Sequence, residues 1–104
     1  MFGMKKTKEA PLATTYTEED GAVTIKLVGR LDSVSSGGFQ SQAIERCKGK
    51  PTTLDMDGIS YLSSAGLRAI LALDKAVGDN KLTIINAKDS VKDVLDMSGF
   101  SDFI

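Results

Sequence analysis

Between residues 59 and 71 the chain reads ISYLSSAGLRAIL, with two serines, an alanine and a glycine at the junction of an apolar run and a segment of helical spacing. Ser63 and Ser64 are the side chains there whose type and position suit chemistry. A hydroxyl at a helix start can accept a hydrogen bond from a free N–H of the first turn, and so cap the helix. The same place suits a phosphate, because the unpaired N–H groups and the aligned peptide dipoles give it partial positive charge. Phosphorylating a serine there adds about −1.5 to −2 charges and three acceptor oxygens, which changes the surface and spares the fold. Ala65 and Gly66 are expected to be small because a strand or loop passes close to the helix start. Arg68, one turn further, could pair with a phosphate or with an acid on a partner, or stand as a solvated helix-face arginine. Asp32, in GRLDS, reads as a loop aspartate that caps the next turn.

Other chemistries fare worse. The chain has no histidine, which removes the commonest general base and the commonest transition-metal ligand. A serine hydrolase would also need a Gly-x-Ser-x-Gly elbow and a longer chain. A nucleotide-binding module is suggested only by the small residues of the loop, since neither Gly-x-x-x-x-Gly-Lys-Ser/Thr nor Gly-x-Gly-x-x-Gly is present. Neither a cofactor nor a metal is expected. The lone Cys47 cannot close an internal disulfide, and it falls in one apolar phase with Phe39, Ala43 and Ile44, which predicts packing on a helix face.

Fourteen acidic and thirteen basic residues leave a net charge of −1 with no basic stripe, so no nucleic-acid surface is expected. Lys5, Lys6 and Lys8 form the one basic run and read as part of a solvated, frayed terminus. Without a long apolar run no membrane association is expected, and a cytoplasmic location is. At 104 residues, 41% of them apolar, the chain fits one α/β domain.

The elements that must position the serines follow from periodicity. Thr14 to Glu18 and Val23 to Val28 read as strands of a hairpin around Glu19-Asp20-Gly21. Gly29 to Ser33 reads as a loop, and a helix is expected from about Gly38 to Lys48. Thr52 to Met56 is β-prone, Asp57-Gly58 reads as a turn, and Ile59 to Leu62 as extended or irregular chain. From Ala65 the apolar residues Leu67, Ile70, Leu71 and Val77 take helical spacing; Leu82 to Ile85 reads as a strand, and Val91, Val94 and Leu95 mark a last helix. This order calls for a small sheet whose later strands are parallel, with helices on at least one face. The Gly29 to Asp32 loop and the Tyr61 to Gly66 loop should then lie side by side at the carboxyl ends of the strands.

Four stretches, GAVTIKLVGRLDS, PTTLDMDGISYLSSAGLRAILAL, NKLTIINA and VKDVLDMSGFSDFI, resemble the STAS family of anti-sigma factor antagonists. The resemblance runs from about Thr14 to Ile104 and is most specific in the second stretch. It implies an α/β domain with a mixed β-sheet of four to five strands packed against three to four α-helices, over residues 12–104 behind a flexible leader of residues 1–11. It implies no catalytic activity and no cofactor. Its expected partners are an anti-sigma serine kinase, bound in the unphosphorylated form, and a serine phosphatase, and it is expected to be a monomer or weak dimer.

The family's usual motif, Asp-Ser-Ser-Gly-Leu, carries the phosphate on its second serine. Aligned on Gly66 and Leu67, Ser63 stands at the aspartate, Ser64 at the first serine and Ala65 at the phosphoacceptor. Ser64 is therefore the first choice for phosphorylation and Ser63 the second. Asp32 resembles the family's acidic residue beside the switch, so Asp32, Ser63, Ser64, Ala65, Gly66 and Arg68 are the expected partner-binding set. The alternative is a scaffold or interaction module of the same fold, unphosphorylated and open to nucleotide binding, that holds its partner constitutively.

Overall fold

In the computed structural model, which describes residues 12–97 and Gly99, the hairpin comes first. β1 (Leu12–Glu19) and β2 (Ala22–Leu31) pair antiparallel without interruption from Glu19↔Ala22 to Leu12↔Gly29. Asp20 and Gly21 both take positive φ, 54° and 80°, the geometry that a two-residue turn needs to match the strand twist. The Lys5 to Lys8 run, the leader and the closing DFI tail lie outside the described residues.

β2 continues through α1 (Ser36–Cys47) to β3 (Thr52–Leu62), and β3 through α2 (Ser64–Val77) to β4 (Leu82–Ile85), which leads into α3 (Asp89–Met97). The sheet order is β1-β2-β3-β4, with the β2/β3 and β3/β4 pairs parallel. The expected mixed sheet thus has four strands and three helices among the described residues. Val23, Ile25, Leu27 and Leu31 of β2 are buried, whereas Thr24, Lys26, Val28 and Arg30 between them are exposed, so among the described residues the helices cover one face and leave the other open. One apolar cluster joins those strand residues to Phe39, Ala43 and Cys47 of α1, Ile70 and Leu73 of α2, and Val91 and Leu95 of α3. Cys47 packs as its spacing predicts, and burial pushes its thiol pKa up.

Four expectations are corrected. The Gly29 to Ser33 segment is not all loop: β2 runs on to Leu31, with Gly29 at φ 118° beside a register shift. Asp57-Gly58 is not a turn but lies inside β3. The pairing steps from Lys26↔Asp55 to Val28↔Gly58, and again from Gly29↔Ile59 to Arg30↔Tyr61, so β3 spends one residue more than β2 each time. These two bulges re-phase the strand, and Ile59 and Leu62 join Leu54 and Met56 on the buried side. Gly58 is required because a Cβ there would sit 2.7 Å from Val28 Cγ2 and 2.8 Å from the Leu27 carbonyl oxygen. Third, α1 starts at Ser36, two residues early, since the Asp32 carbonyl accepts the Ser36 N–H at 2.8 Å and the first turn closes ahead of the glycines. Fourth, Leu71 is exposed; Ala69, Ile70 and Leu73 occupy the core side of α2 instead.

Candidate functional site

The carboxyl ends of β2 and β3 meet where the candidate residues stand. Leu31 pairs with Leu62, and the Ser63 N–H donates to the Leu31 carbonyl at 3.0 Å, so the chain turns into α2 directly against the end of β2. The two loops expected side by side are thus joined by a backbone bond.

Ser63 is the N-cap of α2. Its backbone is extended, with φ −101° and ψ 175°, and its hydroxyl oxygen accepts the Gly66 N–H at 3.2 Å while its carbonyl accepts the Leu67 N–H at 2.9 Å. Ser64 is the first residue inside the helix and is exposed, with its hydroxyl not used by the cap. The two serines therefore divide the work: one closes the helix end, and the other carries a hydroxyl without a hydrogen-bond partner among the described residues, at the positive end of a fourteen-residue helix. Ser63→Ala should cost about 1 kcal/mol of stability through loss of the cap, read as a fall in the urea midpoint with an unchanged slope.

Ala65 is half-buried and Gly66 buried. A Cβ on Gly66 would lie 2.6 Å from the Leu31 carbonyl oxygen and 2.8 Å from Leu62 Cδ1. The expected close passage is therefore real, and what passes is the last residue of β2. The oxygen crowding Gly66 is the one that accepts the Ser63 N–H, so the small residue and the cap depend on the same atom.

Asp32 follows Leu31 immediately. Its Oδ1 accepts the N–H groups of Val34 at 3.0 Å and Ser35 at 3.3 Å, so the turn-capping role read from the sequence is present. The Ser35 hydroxyl returns the contact, accepting the Asp32 N–H at 3.0 Å and donating to the Arg30 carbonyl at 2.8 Å. Desolvation raises the carboxyl pKa, but the N–H groups of Ser35 and Val34 and the Arg30 guanidinium outweigh it, and the net shift is downward. Asp32 thus stands as a fixed anion at the end of β2.

Two further residues belong here. The Arg30 side chain reaches Asp32 Oδ2 at 3.3 Å and lies over the Tyr61 ring at 4.3 Å, and Arg30 and Tyr61 are register partners at the ends of β2 and β3. Both are exposed on the open face. They lie in the two segments expected side by side, but neither type marks a role, and it is the parallel register of the strands that stacks one on the other. Arg68 is exposed on α2, one turn in from Ser64, and makes no ion pair among the described residues. Among those residues no cluster of three or more His, Cys, Asp or Glu could hold a metal ion, and no helix is long and apolar enough to cross a membrane.

Comparison with known proteins agrees with this architecture. Residues 13–104 match the family model of the STAS domain. A curated Bordetella bronchiseptica protein, BtrV, described as an anti-sigma factor antagonist, is 30% identical over 90 residues, which span 83% of this chain and 78% of that protein. Among solved structures, an anti-sigma factor antagonist from Mycobacterium paratuberculosis superposes with a TM-score of 0.77 at 19% identity, over 88% of this chain and 80% of the other. SpoIIAA in its unphosphorylated form superposes with a TM-score of 0.78 at 16% identity, over 88% of this chain and 84% of the other. The phosphorylated form of the Bacillus cell fate determinant SpoIIAA gives 0.72 at 16% identity, over 88% and 87%.

Proposed function

The chain belongs to the STAS domain family, and from that premise we propose that it is an anti-sigma factor antagonist in a partner-switching pathway, acting in the cytoplasm. In this reading the unphosphorylated protein binds an anti-sigma serine kinase through the surface around Ser64, with Asp32 and the start of α2 as its parts. Phosphorylation of Ser64 ends the binding, and a serine phosphatase restores it. The protein itself performs no catalysis.

The observation that carries the reading is the division between the two serines: Ser63 holds the helix cap, which leaves the exposed hydroxyl of Ser64 free for transfer. The Ser64 Oγ would attack the γ-phosphorus of ATP held by the kinase. An O–P bond forms as the bond to the β–γ bridging oxygen breaks, the hydroxyl proton passes to a base on the kinase, and ADP leaves. The ester then sits at the N-terminus of α2, where N–H groups and the dipole tolerate it. The names of BtrV, of the mycobacterial protein and of SpoIIAA, the last solved both with and without phosphate, support the same assignment.

One observation favours a second reading. Ala65 stands where the family's usual motif has its phosphoserine, so a scaffold that holds its partner constitutively would need no switch at all. The two are separated by incubating the protein with ATP and its cognate anti-sigma serine kinase, and locating phosphate by fragment-ion mass spectrometry. One phosphate on Ser64, retained in Ser63→Ala and absent from Ser64→Ala, is expected. No phosphate on either serine, with the kinase still bound, overturns the switch and leaves the scaffold.

A further inference from the structure

The outer edge of β1 presents a different kind of surface, and it does not depend on the switch. No described strand pairs with that edge, since β1 is terminal in the sheet order. In a two-residue hairpin the residues flanking the turn form the first hydrogen-bonded pair, here Glu19 with Ala22. Alternation along the unbroken register then turns the N–H and C=O groups of Leu12, Thr14, Tyr16 and Glu18 away from β2. Proteins usually guard such an edge with lysine, proline, a bulge or brevity. β4, the other terminal strand among the described residues, is four residues long, but β1 is eight residues, LATTYTEE, without lysine, proline or bulge.

On the core side of this edge runs a groove of about 290 Å³ lined by Leu12, Thr14, Val34, Phe39 and Gln42. Val34 is 79% exposed, an apolar side chain left in water at the groove's rim. A strand laid against β1 would complete the ladder and set every second side chain over the groove, the arrangement of strand addition.

We propose that the strand is β1 of a second copy, added antiparallel about a two-fold axis at Thr14. That register pairs Leu12 with Tyr16 and Thr14 with Thr14, so each outward-facing residue meets another outward-facing residue and about six ladder bonds form. It sets the Glu18 and Glu19 pairs at opposite ends, whereas a parallel alignment would stack them against their own copies. The partner's Tyr16 falls opposite this chain's Leu12, on the face where the groove lies. The product is a continuous eight-stranded sheet with the α2 start of each copy outside the contact.

The contact is small, so dissociation on the order of 10–100 μM is expected. Sedimentation equilibrium of the full chain up to about 1 mM should give a mass rising from monomer to dimer. Thr14→Pro removes an outward N–H and no bond to β2, and should weaken the dimer roughly tenfold or more. Thr14→Lys, which places a charge on the edge with every backbone group intact, should do the same and stands in if the proline variant misfolds. Amides of Leu12 and Tyr16, and of Thr14 where it is not replaced by proline, should gain hydrogen-exchange protection with concentration in the wild type, and do so only at markedly higher concentration in either variant. A monomer throughout the range overturns the proposal, and so does a dimer that both folded variants keep at wild-type strength. Either result leaves the phosphorylation of Ser64 untouched.

Discussion

Gly66→Ala is expected to cost about 3 kcal/mol or more of folding stability, a large share of what a domain of this size has. The added methyl would sit 2.6 Å from the Leu31 carbonyl oxygen, 2.8 Å from Leu62 Cδ1 and 3.0 Å from Leu31 Cγ, and the nearest of these is backbone. A flexible side chain can rotate away, but this oxygen is fixed by the strand and by the Ser63 N–H it accepts. Relief requires parting α2 from the end of β2, which breaks that bond, disturbs the cap on Gly66 and moves Asp32. Exposed alanine normally favours a helix over glycine by roughly 1 kcal/mol, so a net loss here isolates the steric term. Urea unfolding followed by circular dichroism reads the effect as a lower midpoint, and a loss under about 0.5 kcal/mol would show that the junction can open cheaply.

Gly66 also illustrates what was legible in advance. Four small or hydroxylated residues before a helical phase announced both a cap and a close passage, and both are there, because cap chemistry is local and a glycine's neighbours can be inferred from its lack of a side chain. The identity of the passing atom was not legible, since Leu31 lies thirty-five positions away in the chain and only the sheet brings it back. Asp57-Gly58 failed for the same reason. As a dipeptide it is a turn signal, yet in the fold it lets β3 bulge past Val28, and the long-range pairing with β2 overrides the local preference. Arg30 and Tyr61 lie within the quoted GRLDS and ISYLSSAGLRAIL stretches, but no role follows from their types, because their contact depends on a register shared only when β2 extends to Leu31. Asp32 was found, and the structure gives it the capping role that residue type alone suggested.

Ser64→Asp is expected to weaken binding of the proposed partner, an anti-sigma kinase, by at least about tenfold while leaving the melting point within a degree or two. The two halves of this expectation have separate causes. An aspartate in the first turn faces the helix dipole favourably and leaves the Ser63 cap in place, so the fold has no reason to suffer. At a docked interface the same charge must be desolvated and set against whatever lies opposite, and a like charge there costs several kcal/mol. One carboxylate carries less charge than a phosphate, so the true phosphoprotein should bind more weakly still. Ser64→Asn separates charge from shape, since it adds nearly the same volume without the anion and should retain most of the affinity. Isothermal titration of the kinase with the three proteins reads the series directly. If the aspartate and asparagine variants lose equal affinity, release is steric. If the aspartate variant binds like the wild type, electrostatic release does not act at Ser64, and the free hydroxyl at the start of α2 has another use.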